Sequence, residues 1–317
     1  MAQVANTVST TVAIGNREDL VDTIWNIDPH ETPGLTLFDK PAAEATNHEW
    51  LTGSLAAASA ANAQIEGNDA DFSTAARPPE VRLGNRVQTA WKLVSITGMQ
   101  EAVKKAGRKS ELAKELFKMG RELRTDMESS IFANNAKVTG NSTTAAECAG
   151  MGAWVATNDN FGAGGASPAG NGTDARTDGT QRAFTETLLK SVILGCWTNG
   201  GAPDWIILGG FNKQVFSGFD GVATKYQNVE GGKIIAGVDF YQSDFGMMKA
   251  IGNRFSRARD GWVLQTDLWA VPMVRNMFVK KLAATGDAEK RLLLTDFTLE
   301  SRNESGSGLV ADLETSP

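Results

Sequence analysis

An α+β fold is what this chain predicts, on three observations. Two strand arms lie between Asn47 and Leu93, and a long amphipathic helix follows them. Beyond that, strands and helices alternate too unevenly for a doubly wound sheet. The 317 residues suffice for one large domain or two modest ones. Apolar residues at 41% and charged residues at 21% describe an ordinary soluble composition. The net charge of −6 runs against a protein built to grip nucleic acid over a broad face. Two cysteines, Cys148 and Cys196, make no disulfide framework, and a reducing compartment is the simpler expectation. The chain opens without a basic stretch followed by an apolar run, so no signal peptide is expected. No apolar run approaches the roughly 20 residues that a membrane span needs.

Residues 1–45 read as an extended arm. Pro29, Pro33 and Pro41 interrupt any long helix, and a short one fits at 17–25. Next come the strand arms. The first, His48 to Thr52, is short, and Ala56 to Ala76 is a small-residue, acidic turn region. The second arm alternates: Val81, Leu83, Val87, Trp91 and Leu93 face one way, and Glu80, Arg82, Arg86, Gln88 and Lys92 the other. A two-stranded ribbon is at best marginally stable alone in water, so its apolar stripe must lie on the body or on another subunit. Over Lys109 to Asn134, apolar residues at Leu112, Leu116, Met119, Leu123, Met127 and Ile131 step by four, three, four, four and four. Ser110 starts this helix and Asn134 stops it; Lys118 with Glu122 and Arg124 with Glu128 are expected as pairs on its wet side. At 1.5 Å per residue it spans about 40 Å.

Residues 138–180 are loop-rich, and the glycine-rich run Phe161 to Gly172 is expected at the surface without a packed element. A second helix fits Thr185 to Thr198, with Leu188, Leu189, Val192, Ile193 and Trp197 on its apolar side and Gly200-Gly201 ending it. A buried strand follows at Asp204 to Leu208, then a short helix at Phe211 to Phe219. Strands are expected at Gly237–Gln242, Met247–Gly252, Trp262–Gln265, Trp269–Val274 and Arg291–Ser301.

Motifs that carry chemistry are scarce. His30 and His48 have no second histidine or cysteine at ligand spacing, so neither a metal nor another cofactor is expected. The pair His48–Glu49 is the best enzymatic candidate, but it lacks a nucleophile, so no catalytic residue is assigned. Asp244-Phe245-Gly246 matches a kinase tripeptide without the catalytic loop or lysine strand, and reads as a turn between strands. The glycine run at 162–172 and Gly231-Gly232-Lys233 both lack the residues that complete a phosphate loop. Glu66, Asp69 and Asp71 cluster at the ribbon turn, either as a solvated tip or as an acidic surface for a basic neighbour.

In order and in detail the chain resembles the HK97-like major capsid proteins of tailed bacteriophages. The resemblance rests on Thr46-Asn47-His48-Glu49-Trp50 leading into Ser54-Leu55-Ala56, on Glu66-Gly67-Asn68-Asp69-Ala70, and on the run from Arg82 through Asn85 to Val94-Ser95. It continues at Leu188 to Pro203, Tyr241 to Gly246, Asn253-Arg254 and Leu282 to Asp287, covering about residues 30 to 312. It implies an N-terminal arm at 1–45, an extended loop at 46–95 and a peripheral domain at 96–184 with a spine helix at 109–135. An axial domain at 185–275 and a return to the peripheral domain at 276–317 complete the layout.

The implied function is a major capsid protein that assembles into pentamers and hexamers of an icosahedral head around double-stranded DNA. A decoration or tail subunit is the alternative. Implied partners are further copies of the chain, scaffolding, portal and decoration proteins, and non-specific contact with DNA, with assembly in the host cytoplasm and no membrane. The expected interface buries Trp50, Val81, Leu83, Val87 and Trp91 on a neighbour, with Arg86 on the other face of the arm. The acidic tip Glu66, Asp69 and Asp71 meets Arg108, Lys109 or Arg121. Some family members cross-link through a lysine in the extended loop; no lysine lies between Pro41 and Trp91, which closes that route. No long helical pro-segment precedes the arm, so scaffolding is expected from a separate protein or from a segment already removed.

Overall fold

The computed structural model describes residues 29–67, 69, 78–105, 107–219 and 240–317. The short helix expected at 17–25, Asp71 and residues 237–239 lie outside these. The chain passes through α1 (Pro33–Leu37), β1 (Asn47–Thr52), β2 (Val81–Arg86), β3 (Gln88–Thr97), α2 (Gly98–Ala102) and α3 (Glu111–Ile131). Then come β4 (Asp159–Asn160), α4 (Glu186–Thr198), β5 (Trp205–Leu208), α5 (Gly210–Ser217), β6 (Phe240–Ser243), β7 (Gly246–Gly252) and β8 (Gly261–Leu264). The last strands are β9 (Trp269–Ala270), β10 (Met273–Lys281), β11 (Ala288–Phe297), β12 (Glu300–Ser301) and β13 (Gly308–Val310).

The ribbon forms as expected, but it ends sooner. β1 and β2 pair antiparallel, with Asn47 opposite Arg86 and Thr52 opposite Val81. At Val87, whose amide donates to the Thr46 carbonyl at 3.0 Å, the chain changes partner. β3 pairs instead with β11, in a three-stranded sheet ordered β10-β11-β3. Val87, Trp91 and Leu93 therefore belong to the body, not to the protruding arm. Alternation persists through the break because both strands keep the two-residue period.

Helix α3 covers one face of this sheet. Val94 and Ile96 are buried on that side, and Lys92 reaches Asp126 of the helix at 2.6 Å. The helix runs over Glu111–Ile131, shorter than the sequence period suggested. The Ser110 hydroxyl caps it by accepting from Ala113 N at 3.2 Å. Lys118 and Glu122 pair on the wet side as expected, at 3.8 Å. Glu128 does not. It is fully buried, and its carboxylate accepts from Gly34 N at 2.7 Å, Leu35 N at 2.8 Å and Asn253 Nδ2 at 2.7 Å. The short helix α1 has no cap from its own Thr32 side chain, and this remote carboxylate supplies one. Burial pushes the Glu128 carboxyl above its usual range, although the three donors oppose that.

Two apolar clusters make the core. The first gathers Leu35, Phe38, Met127, Ile131, Phe132, Trp262, Trp269, Phe297 and Leu299, together with the whole run Cys148 to Val155 apart from its glycines. That run lies in the stretch read as loop-rich. Its glycines let it lie flat on its neighbours: a Cβ on Gly150 would stand 2.3 Å from the Ala133 carbonyl oxygen. The second cluster packs α4 and α5 on the six-stranded sheet β4-β13-β8-β5-β7-β6, with Leu189, Val192, Ile193, Phe216, Tyr241 and Met248 inside. Trp197 was expected on the buried side of α4; it is exposed and stacks on Phe245 at 4.9 Å between ring centroids, while Cys196 is buried in its place. Both cysteines are free and buried. Asp244 and Phe245 form the β6–β7 turn, closed by Gly246 at φ +144°.

The glycine-rich run is held down rather than excursive. Gly162 N and Gly179 N both donate to Asp312, at 2.9 and 3.0 Å. Asp312 is also reached by Arg259 at 2.7 Å, and Arg176 joins Asp260 at 2.8 Å in the same buried ionic cluster. The strand expected at Trp269–Val274 is broken between β9 and β10, and that expected at Arg291–Ser301 between β11 and β12.

Candidate assembly surface

The ribbon has a root and an overhang. His48, Trp50, Leu83 and Asn85 share the face turned toward the body, as the pairing of His48 with Asn85 and Trp50 with Leu83 requires. Trp50 packs on Trp154 at 5.2 Å between ring centroids, and Leu83 joins the same cluster. These two residues, expected against a neighbour, are partly buried against their own chain. One row further out the body ends. Val81 is exposed, Leu55 is 95% exposed and Ile65 81% exposed; Leu51 is exposed too, but on the ribbon's other face. A groove of about 920 Å³ opens beneath this overhang, between Leu55 and Val81 above and Trp154, Thr157 and Glu304 below.

The second uncovered region is the face of the three-stranded sheet opposite α3. Register places Trp91, Leu294 and Phe278 in one row and Leu93, Leu292 and Lys280 in the next. Trp91 is 57% exposed, and Leu93 and Phe278 are exposed as well. Beside Trp91 lies a groove of about 800 Å³ lined by Arg86, Val87, Val274, Arg275 and Asp296 among others. Apolar side chains in rows on an open sheet face mark an interaction surface more clearly than scattered ones do.

The charged residues singled out from the sequence fall into two groups. Glu66 and Asp69 are exposed at the tip and make no ion pair among the described residues; Asp71 lies outside them. Arg108 and Lys109 sit in the link between α2 and α3, where Arg108 pairs with Glu111 and Lys109 is exposed. Arg121, on α3, lies over the Phe117 ring at 4.4 Å. Among the described residues, no ion pair brings the tip and these cations together.

The best enzymatic candidate comes apart. His48 faces the body and meets Glu300 at 3.2 Å, whereas Glu49 faces outward and pairs with Arg82. Among the described residues there is no group of three or more His, Cys, Asp or Glu able to hold a metal. No described helix is long and apolar enough to cross a membrane. Sequence reasoning missed the open face of β11 and β10, because Leu294 with Phe278, and Leu292 in the next row, line up beside Trp91 and Leu93 only once the register is known.

Comparison with known proteins bears on this surface. A family model described as SU10 major capsid protein matches residues 4–314. A curated major capsid protein of Escherichia phage Phieco32 is 22% identical over 338 residues, covering 93% of this chain and 94% of the relative. Among solved structures, the cyanophage A-1(L) capsid asymmetric unit superposes with a TM-score of 0.67 at 12% identity, covering 99% of this chain and 100% of its own. The phage G gp27 major capsid proteins, solved with gp26 decoration proteins, give 0.53 at 11% identity, covering 99% and 100%. The fold is the HK97-like α+β fold that the sequence resemblance implied.

Proposed function

The chain belongs to the SU10 major capsid protein family, and from that premise we propose that its copies close into an icosahedral phage head through the ribbon overhang and the open sheet face. The observation that carries this reading is the division of the ribbon. Its root packs on the body of its own chain, while Leu55, Ile65 and Val81 stand exposed. In the proposed contact the overhang of one copy lies over the neighbouring copy and covers Trp91, Leu93 and Phe278 there. Full burial of a large apolar side chain contributes about 1.5–3 kcal/mol, so a few per contact, repeated around a shell, suffice. Such contacts are head-to-tail, and rotation closes them into pentamers and hexamers.

The first apolar cluster with α3 is proposed as the peripheral domain, and the cluster around α4 and the six-stranded sheet as the axial domain at the ring centres. The acidic tip, Glu66, Asp69 and Asp71, is proposed to meet Arg108, Lys109 or Arg121 of a neighbour. Scaffolding, portal and decoration proteins and packaged double-stranded DNA are the further proposed partners, with assembly in the host cytoplasm. The work of the protein is packing rather than catalysis. The curated relative is itself a major capsid protein, which favours this reading over a decoration or tail subunit.

The test is an excision that spares the root. A deletion reaching to residue 90 removes Trp50, Leu83, Asn85 and the start of β3, and so damages the body. Removing 54–79 and joining Gly53 to Glu80, whose side chain already lies 3.5 Å from the Gly53 Cβ position, keeps every root contact. The expected product folds with native-like cooperativity and gives no closed shells by electron microscopy. Shells of normal size from the excised chain would sink the proposal.

A further inference from the structure

The ribbon's root contains more polar fastening than strand pairing requires. Asn85 is fully buried. Its Nδ2 donates to the Leu299 carbonyl at 2.8 Å and the Ala149 carbonyl at 3.2 Å. Its Oδ1 accepts from Ala149 N and Arg86 N, both at 2.9 Å. Both amide hydrogens and both acceptor sites are therefore in use. On either side the backbone is held as well. Lys137 Nζ donates to the Gly84 carbonyl at 2.6 Å and to the Asn171 carbonyl at 3.0 Å, and Thr298 Oγ1 donates to the Arg86 carbonyl at 2.8 Å. Outward of Trp50 and Leu83, no hydrogen bond among the described residues ties the ribbon to the body; Arg82 pairs with Glu49 inside the ribbon itself.

Apolar contact is non-directional, so Trp50 and Leu83 on Trp154 alone leave a two-stranded arm free to rock. Amide hydrogen bonds lose strength steeply off-axis, and a saturated one resists rocking. We propose that Asn85 is a positioning residue: it clamps β2 to the segments around Ala149 and Leu299, so that the ribbon leaves the body in one fixed direction before any neighbour arrives. Docking a pre-aimed arm costs less ordering entropy than docking a mobile one. The assembly role of the ribbon gives this aim its use, but the clamp is a property of the single chain.

The measurement uses the full-length chain kept below its assembly concentration. Spin labels are placed at Leu51→Cys, on the outward face of β1, and Lys190→Cys, on the exposed side of α4; the native Cys148 and Cys196 are buried and stay unlabelled. The parent should give a single narrow distance distribution by double electron–electron resonance. Asn85→Ala should broaden it about twofold as the arm samples several directions. Lys137→Met, which keeps an apolar stem over Trp154, should broaden it too, and it provides the readout if Asn85→Ala does not fold. Met248→Ala, in the other cluster, should lower the Tm without broadening. Folded Asn85→Ala or Lys137→Met with the parent's narrow distribution overturns the proposal. Because no shell is involved, this result stands apart from the excision experiment.

Discussion

The two ends of one ribbon behave as different materials. At the root, His48, Trp50, Leu83 and Asn85 are tied to the body by an aromatic contact, a histidine–carboxylate hydrogen bond and a saturated amide. At the next position outward on the same face, Val81 is half exposed, and beyond the strands Leu55 and Ile65 stand almost fully exposed. Strand pattern alone therefore does not say what an apolar stripe covers. The root is part of a core that one chain completes; the overhang is a face that one chain leaves open.

This contrast can be broken or sharpened by substitution, beginning at the root. Trp154 is fully buried beneath Trp50, and Trp154→Ala should destabilise the free chain by about 3–5 kcal/mol. A thermal melt of the unassembled protein reads this, and a loss below about 1 kcal/mol would remove the root from the core. Leu55→Ser with Ile65→Ser should do the reverse. Stability of the free chain stays within about 0.5 kcal/mol, while the yield of shells in sedimentation falls sharply. A large drop in Tm for this pair would mean that the overhang is folded into its own chain. A weaker effect is expected at the tip. Glu66→Gln, Asp69→Asn and Asp71→Asn together should lower assembly at low salt and matter progressively less as salt is raised. Identical assembly curves across ionic strength would dispose of the tip's charge pairing.

The smallest effect lies away from the ribbon and sets a baseline for the body. Burial raises the Asp178 carboxyl, but the hydrogen bond and charge of Arg257, with Arg176 and Arg259, outweigh it and hold the group below the usual carboxylate range. A depressed folded value contributes stability above the unfolded value, and that contribution is lost as pH falls through the folded one. Asp178→Asn should therefore cost under about 1 kcal/mol near neutral pH and flatten the acid limb of the stability curve. An unchanged acid limb would mean that the cluster's acid sensitivity resides in its other carboxylates.

Much of this was legible in the sequence, and the limits are physical. The period of Leu116, Met119, Leu123 and Met127 located α3, because a helix advertises its buried stripe whatever it packs on. The ribbon declared itself through alternation. The exchange of strand partners at Val87 did not, since a two-residue period is blind to which strand lies alongside. Cys148 to Val155 has no period at all; its burial follows from glycines that let backbone approach backbone. Glu128 looked like half of a surface pair with Arg124 because its partners, Gly34 and Leu35, lie far away in sequence. The assembly surface was half visible: Trp91 and Leu93 could be read from β3, whereas their companions on β11 and β10 required the sheet.

Glu128 has one more consequence. A single carboxylate knots together the arm at Gly34 and Leu35, the last turn of α3, and Asn253 just past β7. β7 lies inside the six-stranded sheet, so one carboxylate fastens the arm and α3 to the end of a sheet strand. Removing that one carboxylate would strip three separate segments of a shared acceptor at once.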